Sequence, residues 1–281
     1  MNYLDAINFG NKILKFKKIN TYSLDTELLL SKVLNCTREQ LLINLNKKIK
    51  KNKFNKFISL ISRRVTNEPI AYIFKKKEFW KYNFKVNNQV LIPRPETEII
   101  VEQVLKQSNL NNSKIILDIG TGSGCLLLSI IKERPNFYGI AIDICRKALN
   151  VAKYNAKMHQ LENKVKFINI DIDKFIYNKY DFIVSNPPYV KNIDLKRLDN
   201  NVKHFEPFIA LSGGSDGLSE IKKIILKSKK LLKKNGKLIF EIGNNQNKNV
   251  INLLKKNGFI INKICKDIHS YPRVIISSKN I

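Results

Sequence analysis

Cysteine is scarce in this chain. Cys36, Cys125, Cys145 and Cys265 are its four thiols, and no two of them form a CxxC pair. Histidine is scarcer, with His159, His204 and His269 far apart. This argues against a structural zinc site or a disulfide framework and for a reducing, cytoplasmic setting. No apolar run reaches the roughly 20 residues of a membrane span. The first ten residues, which include Asp5, Asn8 and Gly10, lack the continuous apolar core of a signal peptide. A soluble protein without a membrane partner is the expectation. Acidic residues are also few, 23 against 51 Lys and Arg, which leaves a net charge of +28. Such an excess points towards polyanions. Arginine, however, the usual residue for bidentate phosphate or base recognition, occurs only eight times, so 43 of the cations are lysine. Lys, Asn and Ile are abundant everywhere, as AT-rich codon usage would produce, and the charge alone does not separate a nucleic-acid surface from compositional drift.

What is present suits a globular protein of one large domain, or a large and a small one: 281 residues, 43% hydrophobic and 26% charged. The first 75 residues contain one glycine, Gly10, and one proline, Pro69. Their apolar positions recur every three or four residues (Leu4, Ile7, Leu14; Leu24, Leu28, Leu29; Leu41, Leu42, Leu45; Phe54, Phe57, Ile58, Ile61), which predicts a bundle of about four helices. Ser23 precedes one run, and Thr37-Arg38-Glu39-Gln40 reads as a capping box opening another. Residues 78–92 alternate and are rich in aromatics, which predicts a β-hairpin with Asn87-Asn88 as its turn. Pro95 then suits the first position of a helix, with Glu96 and Glu98 in its first turn.

From Lys114 the pattern changes. Seven apolar runs, at 114–119, 138–143, 165–170, 181–185, 237–242, 259–264 and 273–277, alternate with amphipathic stretches near 125–134, 145–160, 217–234 and 246–257. Near-continuous apolar strands separated by helices predict an α/β fold, a mostly parallel sheet covered on both faces. The last two strands have no helix between them, so an antiparallel edge is expected.

Three features carry chemistry. Asp118-Ile119-Gly120-Thr121-Gly122-Ser123-Gly124 follows the first strand and opens a helix. Its glycines permit close backbone approach to a ligand. The third glycine comes too early for a dinucleotide fingerprint, and the Lys-Ser/Thr of a P-loop is missing. Asp118 itself suits a ligand ammonium and repels a pyrophosphate. Asp143 and Asp171 end the second and third strands, where ligands of parallel sheets sit, and are placed for ribose hydroxyls and an adenine amine respectively. Together they outline a pocket for adenosine carrying an amino acid. Asn186-Pro187-Pro188-Tyr189 follows the strand at 181–185. The prolines end that strand and hold Asn186 extended at its rim. The Asn186 side-chain oxygen and the Pro187 carbonyl can each accept one hydrogen of a planar NH2 group. That orients a poor nucleophile and favours its pyramidalisation. Tyr189 offers a stacking face for the flat group.

DIGTGSG, SNPPY and the alternating tail resemble class I S-adenosylmethionine-dependent methyltransferases of the N-methylating kind. EPIAYIFKKKEFW (68–80), LIPRPETE (91–98) and FEPFIALSGGSDGL (205–218) resemble, more narrowly, the release-factor glutamine methyltransferase family, protein-(glutamine-N5) methyltransferases of the PrmC/HemK type. The resemblance covers nearly the whole chain from about residue 20. It implies a helical N-terminal domain that docks the substrate (1–75), a β-hairpin linker (76–92) and a seven-stranded methyltransferase domain (93–281). It further implies that Gly120, Thr121, Gly122, Ser123 and Gly124 wrap the methionine part of S-adenosyl-L-methionine, that Asp143 holds the ribose and Asp171 the adenine, and that Asn186 borders this cofactor. Asn186, Pro187, Pro188 and Tyr189 would hold the glutamine of the Gly-Gly-Gln loop of a class I peptide chain release factor, with Asn186, Pro187 and Tyr189 carrying catalysis. No metal is implied. The family often has an aromatic after the acid that matches Asp171; here the residue is Ile172. Asn244, Asn245, Gln246 and Arg273 match family segments, and a structural role is expected of them.

Other readings share the central motif. A glutamine methyltransferase acting on a large-subunit ribosomal protein would use the same chemistry. An adenine-N6 nucleic-acid methyltransferase shares NPPY, but calls for a recognition domain rich in arginine and aromatics, unlike residues 1–75. A non-catalytic binding protein on a decayed methyltransferase fold is opposed by the intact loop, acids and NPPY. Residues 1–90 carry 19 basic and 6 acidic side chains, which predicts salt-sensitive docking to an acidic protein surface. A monomer that needs no nucleic acid is expected.

Overall fold

Helix signals in the first 75 residues translate into five helices, one more than the periodicity predicts. They are α1 (Tyr3–Phe16), α2 (Tyr22–Leu34), α3 (Arg38–Ile43), α4 (Lys51–Val65) and the short α5 (Ile70–Phe74). The structure, a computed structural model, describes residues 1–176 and 178–279. Two capping boxes start helices: Asn2 with Asp5 at α1, and Thr37 with Gln40 at α3, the latter as the sequence predicts. Buried Ala6, Leu14, Leu29, Leu30, Leu41, Phe57 and Ile61 fill the centre of this unit. A buried ion pair, Arg64 Nε to Asp25 Oδ2 at 2.7 Å, joins α4 to α2. Met1–Phe74 and Asn200–Phe205 form one compact unit, and Lys75–Asp199 with Glu206–Ile281 the other.

The second unit begins with a hairpin, β1 (Lys76–Phe79) and β2 (Tyr82–Lys85). Its turn is at Trp80-Lys81, with Phe79 opposite Tyr82, and not at Asn87-Asn88. Trp80 adopts φ +58°. Its backbone N–H donates to Glu98 Oε1 at 2.8 Å, and its indole N–H to Glu133 Oε1 at 3.0 Å. These distant carboxylates hold a conformation that no local residue preference signals. Asn87 makes an Asx turn instead, accepting from the Gln89 N–H at 3.0 Å. Pro95 opens a 3₁₀ turn, Pro95–Thr97, which leads into α6 (Glu98–Lys106).

The remaining elements are β3 (Ile115–Ile119), α7 (Cys125–Glu133), β4 (Tyr138–Asp143), α8 (Arg146–Met158), β5 (Val165–Asn169), β6 (Tyr180–Ser185), α9 (Asn200–Lys203), α10 (Ser219–Leu231), β7 (Leu232–Glu241), α11 (Asn247–Lys256), β8 (Phe259–Lys266) and β9 (Pro272–Lys279). The last seven strands form one sheet in the order β5-β4-β3-β6-β7-β9-β8. Strands β3 to β7 pair in parallel; β9 lies antiparallel between β7 and β8. An antiparallel edge is thus present, and the final strand is the one that enters the sheet. Two apolar layers cover the faces, one including Ile100, Leu127, Ile130 and Phe182, the other Ile183, Ile221, Ile224 and Phe240. The chain winds outward from β3 to β5, then returns beside β3 at β6. The carboxyl ends of β3 and β6 therefore flank a topological switch point, where open α/β sheets bind ligands. No described helix is long and apolar enough to cross a membrane.

Candidate active site

A cavity of about 490 Å³ opens at this switch point. Its floor is the loop after β3. Gly120, Gly122 and Gly124 take φ values of +70°, +55° and +80°, a region costly for any residue with a Cβ. A Cβ on Gly120 would meet no atom within 4 Å, whereas one on Gly124 would lie 3.1 Å from Leu128 Cδ1 and 3.2 Å from Ala152 Cβ. The first two glycines therefore leave backbone open to the cavity, and the third lets α7 and α8 pack closely. Gly120, Thr121, Gly122 and Ser123 line the cavity; Gly124 is outside its lining.

Three acids border this floor. Asp143, at the end of β4, accepts the Gly122 N–H at 2.9 Å on Oδ2 and the Cys145 N–H at 2.8 Å on Oδ1. Burial raises its pKa against these two amides. Each oxygen keeps a lone pair for a ligand hydroxyl. Asp118 is 1% exposed. Burial pushes its pKa to about 7, with repulsion from Asp143 adding to the rise and the Thr121 hydroxyl, donating at 2.6 Å, opposing it. Asp171 caps the 3₁₀ turn Ile172–Lys174 through the Asp173 N–H at 2.8 Å. It lines the cavity with the aliphatic Ile144 and Ile172 and with Lys223, whose charge acts on it.

Opposite the glycine loop, β6 ends in the Asn-Pro-Pro-Tyr segment. Asn186, Pro187 and Pro188 line the cavity. Asn186 Nδ2 donates to Thr97 Oγ1 at 2.9 Å, which turns its oxygen away from Thr97. Thr97 donates to Glu241 Oε2 at 2.6 Å, and the Tyr189 hydroxyl donates to Glu241 Oε1 at 3.0 Å. Burial raises the Glu241 pKa, opposed by both hydroxyls and by the charge of Arg273. Tyr189 is not part of the cavity lining. Its hydroxyl is bound to Glu241 and its ring packs with the buried residues on the α10 side of the sheet.

The residues that match family segments without an assigned part find structural work. Gln246 accepts the Gly243 N–H at 2.9 Å and donates to the carbonyls of Tyr189 at 3.1 Å and Gly217 at 3.0 Å, joining three loops at the sheet rim. Arg273 binds Asp267 Oδ2 at 3.0 Å within the β8–β9 turn. Asn244 and Asn245 are exposed beside these, Asn245 with φ +63°. Sequence reasoning assigned nothing to Thr97 or Glu241, which lie 144 positions apart, nor to the rim at Phe208 and Ile209. That rim is held by buried Glu206, which accepts the Ile92 N–H at 3.1 Å and pairs with Arg94. Phe208 and Ile209 line the cavity although exposed. Thr97 falls within LIPRPETE, and Glu206, Phe208 and Ile209 within FEPFIALSGGSDGL, while Glu241 lies in neither segment. Among the described residues no three His, Cys, Asp or Glu side chains gather into a metal-ligating group.

Comparison with known proteins agrees with this architecture. Residues 5–74 match the family model described as the PrmC N-terminal domain, and residues 95–204 match that of the methyltransferase small domain. A release factor glutamine methyltransferase of Clostridium acetobutylicum is 39% identical over 280 residues, covering 99% of this chain and 98% of its own. A bifunctional methyltransferase of Rickettsia typhi is 37% identical over 288 residues, covering 96% of this chain and 56% of that protein. Among solved structures, a methyltransferase from Pyrococcus furiosus shares the fold with a TM-score of 0.55 at 18% identity, over 78% of this chain and 98% of its own.

Proposed function

This chain belongs to the release factor glutamine methyltransferase family, and from that premise we propose that it methylates the side-chain amide nitrogen of the glutamine in the Gly-Gly-Gln loop of class I peptide chain release factors, with S-adenosyl-L-methionine as donor. The observation that carries the reading is the position of Asn186 and Pro187: both line one cavity with the open-faced glycine loop, and the amide of Asn186 is tied by its nitrogen, which frees its oxygen as an acceptor.

The cavity fits the donor. Its volume lies within the roughly 300–1,000 Å³ of small-molecule sites. Gly120, Thr121, Gly122 and Ser123 would border the amino-acid part, with Asp118 facing its ammonium; Asp143 would accept from the ribose, and Asp171, beside Ile144 and Ile172, would meet the adenine. When bound, this cofactor supplies an electrophilic methyl group on a sulfonium. The chain contributes orientation: the Asn186 side-chain oxygen and the Pro187 carbonyl accept the two hydrogens of the glutamine NH2, and Pro188 shapes the wall beside them. Aligned acceptors lower the cost of localising the nitrogen lone pair. No residue acts as a strong base, since the nitrogen becomes acidic as it is alkylated. Tyr189 holds the segment through Glu241. We further infer that the helical residues 1–75 dock an acidic face of the release factor, and that the chain works as a cytoplasmic monomer without nucleic acid or metal.

Replacing Asn186 by Ala tests the reading directly. Turnover on a release factor should fall on the order of 10²-fold, the loss expected when one placed hydrogen-bonding group is removed, while S-adenosylmethionine binding by calorimetry stays within a few-fold. Turnover equal to wild type with intact cofactor binding would remove Asn186 from the chemistry.

A further inference from the structure

The side-chain amide of Asn186 has two ends of opposite chemistry, and the end that meets the cavity decides what the site accepts. Thr97 has a single hydroxyl proton, and both Glu241 oxygens act as acceptors, Oε2 from Thr97 and Oε1 from Tyr189. At 2.6 Å that proton is committed to Glu241 Oε2, so Thr97 keeps only lone pairs for Asn186. The amide meets lone pairs with its NH2, at 2.9 Å. Thr97 is 3% exposed and Glu241 1% exposed, so water does not compete for either group. Tyr189 grips Glu241 from its other oxygen, which closes the chain of contacts back onto the segment that carries Asn186. Three separate parts of the chain, the 3₁₀ turn at Pro95–Thr97, the end of β7 and the loop after β6, thus converge on one rotamer choice.

We propose that Thr97 and Glu241 are positioning residues that lock the amide of Asn186 with its oxygen towards the substrate, and so select a carboxamide over a carboxylate. The proposal deepens the functional reading above and rests on it for the substrate. An oxygen accepts from the NH2 of glutamine. Facing a glutamate side chain it sets oxygen against oxygen, with no proton to share at neutral pH. With the amide reversed, Asn186 would show NH2 to the site. It would then favour the carbonyl end of glutamine, turning the reacting nitrogen away, or a carboxylate. A site built around one hydrogen-bonding partner rejects the group that leaves it unpaired.

Two variants separate positioning from mere support. Thr97→Val keeps the shape and removes the hydroxyl; Thr97→Ser keeps the hydroxyl. With a release factor as substrate, Thr97→Val should lower kcat on the order of 10²-fold without changing the KM for S-adenosylmethionine, and Thr97→Ser should restore most of the loss. Glu241→Leu, which removes the acceptor and lets the Thr97 hydroxyl turn to the Asn186 oxygen, should behave like Thr97→Val. A release factor with glutamate in place of the loop glutamine should compete better against Thr97→Val than against wild type. The Asn186 side-chain amide, assigned by NMR from its loss in Asn186→Asp, should be protected from hydrogen exchange in wild type and Thr97→Ser and unprotected in Thr97→Val. If Thr97→Val does not fold, Thr97→Ala is read in the same way. Equal protection in wild type and Thr97→Val, or an unchanged kcat, would overturn the proposal. Wild type that shows the protection difference but leaves release factor unmethylated would instead overturn the functional reading and leave the amide orientation standing.

Discussion

Asp118 carries a cost that a single substitution should expose. Its carboxyl is buried beneath the glycine loop, with a pKa near 7 in the folded chain against an ordinary value of 3.8. Below about pH 3 it is protonated in both folded and unfolded chains and costs nothing through ionisation. As pH rises from about 3 to 7 the unfolded chain sheds the proton and the folded chain retains it, so stability falls; above 8 the full penalty applies. Three units correspond to about 4 kcal/mol. Asp118→Asn keeps the size and an acceptor for the Thr121 hydroxyl while removing the charge. Relative to wild type it should gain little at pH 5, on the order of 1 kcal/mol, and about 4 kcal/mol at pH 8.5, the latter equal to a Tm increase on the order of 10 °C for a domain of this size. Thermal melting of the ligand-free chain at the two pH values reads this directly. Bound ligand reverses the sign: an ammonium beside the carboxylate recovers the lost solvation. Wild type should therefore bind S-adenosylmethionine more tightly at pH 8 than at pH 6, and Asp118→Asn should lose both affinity and pH dependence. A variant equally shifted at pH 5 and 8.5, or less stable than wild type at pH 8.5, would refute the reasoning.

The glycines of the loop should separate by phenotype. Gly124→Ala, with φ +80° and a Cβ 3.1 Å from Leu128, should cost about 2–3 kcal/mol of stability in urea denaturation; Gly120→Ala, whose Cβ meets nothing, should cost about 1–2 kcal/mol and act mainly by lowering cofactor affinity in calorimetry. Asn155, fully buried on α8, accepts the Lys85 N–H at 2.7 Å and donates to the carbonyls of Lys85 and Ser123; Asn155→Ala should cost about 3 kcal/mol in thermal melts and weaken cofactor binding by loosening Ser123. The basic excess of residues 1–90 predicts that the association rate with a release factor, followed by stopped flow, falls at least about tenfold between low and high salt; a rate indifferent to salt would assign that charge to composition alone.

The strands were legible because apolar runs mark them: β3, β4 and β6 are short and largely buried, although β7 begins at Leu232, before its apolar run, and β5 and β8 expose much of their length. The capping box at Thr37 was legible because both partners sit within four residues. The glycine loop, Asp143, Asp171 and the Asn-Pro-Pro segment were legible as cavity residues because chain direction alone places strand ends at one rim. What failed to show were features made by distant partners. Trp80 turns the hairpin because Glu98 and Glu133 hold it, and nothing local marks a tryptophan for positive φ. That a side chain at Gly124 would crowd Ala152 was likewise out of reach of the local pattern. The bond from the Tyr189 hydroxyl to Glu241, 52 residues away, had no local signal either. The Thr97–Glu241 contact had no signal at all, since threonine before a helix is ordinarily a cap.

The most direct test of the account is mass spectrometry of a class I release factor after incubation with this chain and S-adenosylmethionine. The account predicts one added methyl group, located by fragmentation on the side-chain amide of the Gly-Gly-Gln glutamine. Methylation confined to a ribosomal-protein glutamine or to nucleic acid, with the release factor unchanged, would contradict it.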